Sequence, residues 1–61
     1  MEAWQATLVE QFALPDGGSA IAGFNDERKI VELDEDVEAE LAREIEDWVR
    51  RLGVGYEVMQ L

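Results

Sequence analysis

Apolar residues recur at helical spacing between Asp34 and Gly53, and this is the clearest pattern in the chain. The stripe consists of Val37, Leu41, Ile45, Trp48 and Leu52, with Ala42 and Val49 beside it. At about 100° per residue these positions share one side of a helix. Asp34 or Asp36 is expected to accept hydrogen bonds from the free N–H groups of the first turn, and Gly53 to end the helix. The pattern therefore predicts an amphipathic helix whose stripe faces a core.

The segment 2–14 fits two periods. Alternation places five residues on one face of a strand: Trp4, Ala6, Leu8, Phe12 and Leu14. A period of 3.6 aligns Trp4, Leu8 and Phe12 on a helix, and the Ala, Gln, Glu and Leu content mildly favours that alternative. The segment 15–18, Pro-Asp-Gly-Gly, is a strong turn signal before another short apolar run. We therefore predict that 2–14 is the first strand of a β-hairpin, with a helix as the alternative.

The remaining apolar runs are short. Residues 19–24 and 29–33 suit two further strands, with Gly23 marking a bulge or a close backbone approach, and residues 54–61 suit a last strand. The pattern thus predicts that residues 1–61 form one small two-layer α+β domain of order β-β-β-α-β, an antiparallel meander packed on one amphipathic helix. One helix covers only part of such a sheet, so Val9, Ile30 or Met59 is expected to stay in solvent on the far face.

The residue types exclude much of enzyme chemistry. The chain has 61 residues with no Cys and no His, so it has no disulfide, no thiolate metal ligand and no imidazole proton shuttle. Candidate nucleophiles are Thr7, Ser19 and Tyr56, none with a His to activate it. Asp34-x-Asp36-x-Glu38 offers oxygen ligands but lacks the Gly of a calcium loop. We predict a noncatalytic protein without cofactor or metal site.

The sequence predicts neither a membrane span nor a signal peptide. No apolar run approaches the length of about 18 residues that a membrane span needs. Met1-Glu2 opens the chain without a basic region before an apolar one, unlike a signal peptide. The sequence therefore predicts a cytoplasmic protein without membrane contact.

Charge is the most unusual property of the chain. Fifteen acidic residues against five basic ones give a formal net charge of −10. Binding a phosphate backbone requires Lys and Arg, so direct nucleic-acid binding is not expected, and a partner would be cationic. Solubility and adaptation to high salt are alternative explanations of the charge that composition does not separate.

Four acids are expected along the outer side of the helix: Asp36, Glu40, Glu44 and Asp47. On a continuous helix they would span about 16 Å, a charge density comparable to one nucleic-acid strand. The second half of the helix also offers i,i+4 ion pairs, namely Arg43–Asp47, Glu46–Arg50 and Asp47–Arg51. We predict that the four acids, here called the acidic stripe, contact a protein partner with a basic surface.

By analogy with small acidic phage inhibitors of host defence and with antitoxins, the expected role is an inhibitor or nucleic-acid mimic. The alternative is a structural or assembly subunit, including a homodimer, that associates through its sheet face or the edge of its C-terminal strand. In that alternative the acidic charge serves solubility or high-salt adaptation.

Overall fold

The computed structural model describes all residues from 1 to 61 and contains two helices and three strands. In chain order the elements are α1 (Ala3–Gln11), β1 (Ile21–Asn25), β2 (Ile30–Leu33), α2 (Ala39–Leu52) and β3 (Glu57–Gln60). Side chains from both helices and from the sheet form one apolar core. The fold is a small α+β domain, as predicted, but its order is α-β-β-α-β.

The expected strand over 2–14 is wrong, because this segment forms helix α1. Leu8 and Phe12 are buried, and Trp4 packs against the same core. These three residues are four positions apart and share one side of a helix. Ala6, which a strand would have buried beside them, is exposed. The period of 3.6, and not the alternation, therefore describes the apolar residues of this segment.

The turn signal at residues 15–18 is genuine, but it joins a helix to a strand. The Leu14 N–H donates to the Gly18 carbonyl over 2.8 Å, and the Gly17 N–H donates to the Leu14 carbonyl over 3.1 Å. Ala13 and Ser19 then form an isolated antiparallel bridge. A tight turn of this kind reverses the chain whatever precedes it, so it carried no information about the type of the first element.

The sheet is mixed, with β2 between β1 and β3. β1 and β2 are antiparallel, with an irregularity between Ile21 and Gly23 where the sequence predicted a bulge. β3 is parallel to β2, with Ile30 opposite Glu57. The predicted antiparallel meander is therefore confirmed for β1 and β2 but not for the sheet as a whole, which is mixed. Helix α2 packs along the sheet and returns the chain to the end at which β2 began, so the next strand enters in the same direction.

Helix α2 ends as predicted and begins later than predicted. Gly53 adopts a left-handed conformation, with φ 66°, directly after Leu52. The residue before the first turn is Glu38 rather than Asp34 or Asp36, and its side chain makes no capping hydrogen bond. The Asp34 carboxylate instead accepts from the Asp36 N–H over 3.3 Å, which stabilises a local turn ahead of the helix.

One face of the sheet is covered by the helices and the other is open. Val31 and Leu33 of β2 are fully buried, whereas the alternating position Ile30 lies outside the core and is half-buried. Met59 of β3 is 53% exposed. Ile30 and Met59 therefore occupy the far face, as predicted. Val9 does not, because it belongs to α1 and packs against the core.

Candidate functional site

The acidic stripe is only partly helical. Glu40, Glu44 and Asp47 are exposed on α2, while Asp36 is exposed in the turn before the helix begins. The three helical acids extend over about 10 Å, at 1.5 Å per residue, rather than over the longer row expected for four. Because Asp36 lies outside the helix, helical spacing does not align it with the other three acids.

Few cations accompany these carboxylates. The one ion pair of the chain joins Arg50 to Asp47 at 3.8 Å between two exposed side chains. The three expected i,i+4 pairs do not form, and the Nε of Arg51 donates to the backbone carbonyl of Asp47 over 3.3 Å. An exposed pair of this kind contributes about 0–1 kcal/mol. Glu40 and Glu44 consequently have no basic neighbour in contact.

More carboxylates surround the start of α2. A cavity of about 340 Å³ is lined by Leu14, Asp16, Asp34, Asp36, Val37, Glu38 and Leu41. Nowhere in the chain do three acidic side chains come together in an arrangement that would hold a metal ion. The cavity therefore extends the negative surface of α2 toward the turn at Asp16 without forming a metal site.

One exposed carboxylate accepts two side-chain hydrogen bonds that link distant parts of the chain. Asp26 Oδ1 accepts hydrogen bonds from Gln5 Nε2 and from the Tyr56 hydroxyl, each over 2.7 Å. These bonds lower the pKa of Asp26, and the bond to Asp26 raises the pKa of Tyr56 from 10.0 to about 12. Gln5 is buried and its Oε1 accepts from the Glu2 N–H over 2.9 Å. Sequence reasoning missed this cluster because its members are 21 and 30 residues apart.

The aromatic residues pack rather than form an exposed stacking surface. Trp4 lies edge-on to Phe24, with ring centroids 5.6 Å apart, and edge-on to Tyr56 at 4.8 Å. Trp48 lies edge-on to Phe12 at 6.1 Å. Both tryptophans are half-buried against the core.

The three candidate nucleophiles all make structural hydrogen bonds. Ser19 Oγ donates to the Val9 carbonyl over 3.0 Å and accepts from the Ile21 N–H over 3.2 Å. Thr7 Oγ1 donates to the carbonyl one helical turn earlier. The Tyr56 hydroxyl donates to Asp26. None of these hydroxyls is hydrogen-bonded to another. Each one stabilises local structure through its own bond.

A groove lies between α2 and β3, and nothing in the sequence pointed to it. Its volume is about 620 Å³ and its lining residues are Glu46, Val49, Arg50, Gly53, Gly55, Tyr56, Glu57 and Val58. The α2 residues among them recur at helical spacing and form one side of the helix. The groove is larger than the acidic cavity at the other end of α2.

Comparison with protein-family models, with curated proteins and with solved structures finds no match to this chain. The longer helix, α2, has 14 residues, and neither helix has the length and apolar character needed to cross a membrane.

Proposed function

We propose that this protein is a noncatalytic acidic protein-binding module that occupies a basic site on a larger partner. The observation that carries the proposal is the lack of ion pairs among the acids of α2: Glu40 and Glu44 form none, although Arg43 lies on the same helix, and Asp47 has one weak pair. Like charges four residues apart on a helix cost a few tenths of a kcal/mol per pair. A basic surface on a partner would supply the missing cations and relieve that repulsion.

The partner we propose is a protein that normally holds nucleic acid, and the role is that of an inhibitor or nucleic-acid mimic of the phage anti-defence or antitoxin type, acting in the cytoplasm. The three helical acids are about 4.5–6 Å apart along the helix axis, somewhat sparser than the phosphates of a single strand at about 3.4 Å. Asp36 and the neighbouring carboxylates of the acidic cavity add charge at the start of α2. A net charge of −10 disfavours nucleic acid itself as the ligand.

A second candidate role is supported by the open sheet face. Met59 is 53% exposed, and Ile30 shares its face without reaching the core. Two apolar side chains on an uncovered sheet face suit an assembly subunit or a homodimer that associates face to face. Salt distinguishes the two roles, because a charge-driven complex weakens as salt rises and an apolar interface holds or tightens.

The test compares two double variants that raise the net charge equally. Glu40→Lys with Glu44→Lys alters the acidic stripe, whereas Glu10→Lys with Glu27→Lys alters exposed acids elsewhere. Tagged wild type and both variants are used as bait in lysate of the host cell, with low-salt and high-salt washes. We expect nucleic-acid-handling proteins to be retained by wild type and the control at low salt, lost at high salt, and absent from the stripe variant.

Retention of the same proteins by the stripe variant would contradict the proposal. Recovery of the protein alone, surviving the high-salt wash, would favour self-association through the sheet face. Circular dichroism of both variants checks that the charge changes leave the fold intact.

A further inference from the structure

The outer edge of β3 carries unpaired backbone groups. The Glu57 N–H donates to the Lys29 carbonyl over 2.9 Å, and the Leu61 N–H donates to the Leu33 carbonyl over 3.0 Å. Alternate residues of a strand direct their backbone groups to opposite sides, so Val58 and Gln60 direct theirs away from β2. No strand lies on that side of β3. The edge is therefore free to pair with another extended chain.

The groove between α2 and β3 lies beside this edge. Its lining comes from α2, from β3 and from the short connection between them, and includes no residue of α1, β1 or β2. Tyr56 and Val58, both half-buried, give it apolar surface, whereas Val49 is only 2% exposed and belongs to the core. A Cβ added at Gly53 or Gly55 would meet no atom within 4 Å, so the connection leaves space at that end. A strand placed next to β3 would have α2 on one side and solvent on the other.

We propose that an extended segment of a partner protein adds to β3 as a fourth strand in this groove, and that it carries alternating apolar and basic residues. Strand addition of this kind takes affinity from main-chain hydrogen bonds and specificity from alternate side chains. Side chains on one face of the added strand meet Tyr56 and Val58, which favours apolar residues there. Those on the other face lie beside Glu57 and Met59 at the open side of the sheet.

Charge selects basic residues at the alternate positions. Glu57 lies on the face that these alternate positions meet, and Glu46 is a second acidic residue that lines the groove. The one cation in the lining, Arg50, is already 3.8 Å from Asp47. A second copy of the chain is the less suitable occupant, because pairing would bring together two molecules that each carry a net charge of −10. An extended basic segment is attracted by the same field. This site is separate from the acidic stripe and does not depend on the function proposed for the stripe.

The test uses short synthetic peptides and wild-type protein. An end-capped octapeptide of alternating Val and Lys is the probe, and one of alternating Val and Glu is the control. In NMR titrations we expect the Lys peptide to bind at least tenfold more tightly, to shift the amide signals of Val58 and Gln60, and to slow their hydrogen exchange. Equal binding of the Glu peptide, or shifts confined to α2 residues 40–47, would overturn the proposal.

Backbone methylation tests whether the peptide pairs as a strand. Two versions of the Lys peptide are N-methylated, one at every valine and the other at every lysine. A strand added to a single edge uses the amides of only one of these sets, so we expect one version to lose binding and the other to retain it. Equal retention or equal loss in both versions would overturn strand addition.

Variants of the protein test whether the peptide binds at the β3 edge or on the acidic stripe. Glu46→Lys with Glu57→Lys should weaken the Lys peptide at least tenfold more than the equally charged control Glu10→Lys with Glu27→Lys. The stripe variant, Glu40→Lys with Glu44→Lys, should behave like the control. A larger effect of the stripe variant would place the peptide on α2 and overturn this inference without affecting the proposed role of the stripe. Concentration-dependent dimerisation that protects the Val58 and Gln60 amides without peptide would also overturn it.

Discussion

The hydroxyl of Tyr56 donates a hydrogen bond to Asp26 Oδ1 over 2.7 Å, joining two residues that are 30 positions apart. The same oxygen accepts from Gln5 Nε2 over 2.7 Å. One carboxylate oxygen therefore connects helix α1, the turn between β1 and β2, and the residue before β3. The ring of Tyr56 also packs edge-on against Trp4, so polar and aromatic contacts hold the same three parts of the chain together.

This cluster makes stability sensitive to the residue at position 5. Gln5→Glu removes the donor to Asp26 and puts a second carboxylate beside it in a buried position. We expect the variant to lose about 1–3 kcal/mol of unfolding free energy at pH 7, the usual cost of an unsatisfied buried polar group. The loss should shrink as the pH falls toward 4, because one of two adjacent carboxyls then takes up a proton. Urea titrations at both pH values measure this.

Gln5→Met is the matched control for that variant. It removes the same hydrogen bond without adding charge, so its loss of stability should hardly change between the two pH values. A pH-independent loss for Gln5→Glu would show that the two side chains do not meet in solution.

The Asp26–Tyr56 hydrogen bond should stabilise the protein only between a lower and an upper pH. The folded protein holds the pKa of Asp26 below 3.8, so this contribution is present above that value and is lost as the pH falls below it. The hydrogen bond to Asp26 raises the pKa of Tyr56 from 10.0 to about 12. The stability gained from the protonated hydroxyl is therefore present below pH 10 and is lost between about pH 10 and 12.

The measurement is the unfolding free energy of wild type and Tyr56→Phe across the pH range. Tyr56→Phe should be less stable than wild type at pH 7, and the difference should narrow both in strong acid and above pH 10. A constant difference between the two proteins across this range would argue against the hydrogen bond.

Two residues of the same predicted stripe should behave differently on truncation. Ile45 is fully buried, whereas Leu52 is 39% exposed at the end of α2. Ile45→Ala should cost about 2–5 kcal/mol, the usual range for a buried residue of this size. Leu52→Ala should cost about 1 kcal/mol or less, because much of its side chain is already in water. Urea unfolding monitored by tryptophan fluorescence compares them, and equal losses would contradict the observed burial.

The parts of the fold that the sequence predicted are those determined by neighbouring residues. The buried side of α2 follows from a period of 3.6, and its end follows from the conformational freedom of Gly53. The first element was ambiguous because Trp4, Leu8 and Phe12 satisfy both periods, and only packing against the rest of the chain decides between them. The direction of β3 depends on how α2 crosses the sheet, which is a tertiary property.

The candidate site was harder to predict for the same reason. The exposed acids of α2 were found because a hydrophobic stripe also defines the opposite, polar side of a helix. Asp36 was misplaced because the start of α2 depends on a turn formed by Asp34. The groove beside β3 had no local signal, since it exists only where the last strand becomes an edge next to the helix.

The left-handed residue after α2 gives a further prediction. Gly53 has φ 66°, and a Cβ at this position would meet no atom within 4 Å. Gly53→Ala should therefore destabilise the protein through backbone strain alone, by roughly 1–2 kcal/mol. Gly53→Asn should cost less, since Asn tolerates this conformation. Thermal denaturation ranks the three proteins, and an Ala variant as stable as wild type would mean that the helix ends differently in solution.

The side chain of Gln60 fixes the turn that precedes α2. Its Nε2 lies 2.6 Å from the Val37 carbonyl oxygen and 3.2 Å from those of Asp34 and Glu35. This amide therefore links the last strand to the segment that contains Asp36. Gln60→Glu replaces the donor by a carboxylate facing carbonyl oxygens, an arrangement without a hydrogen bond when the carboxylate is ionised.

We expect Gln60→Glu to lose about 0.5–1.5 kcal/mol of stability and to speed hydrogen exchange at the Asp36 and Val37 amides at pH 7. Met59→Glu is the matched control, because it adds the same charge one residue away on the open face of the sheet. If exchange in residues 34–37 is the same in both variants, Gln60 does not hold the turn. If it rises only in Gln60→Glu, the position of Asp36 relative to Glu40 and Glu44 is determined by the C-terminal strand rather than by the helix.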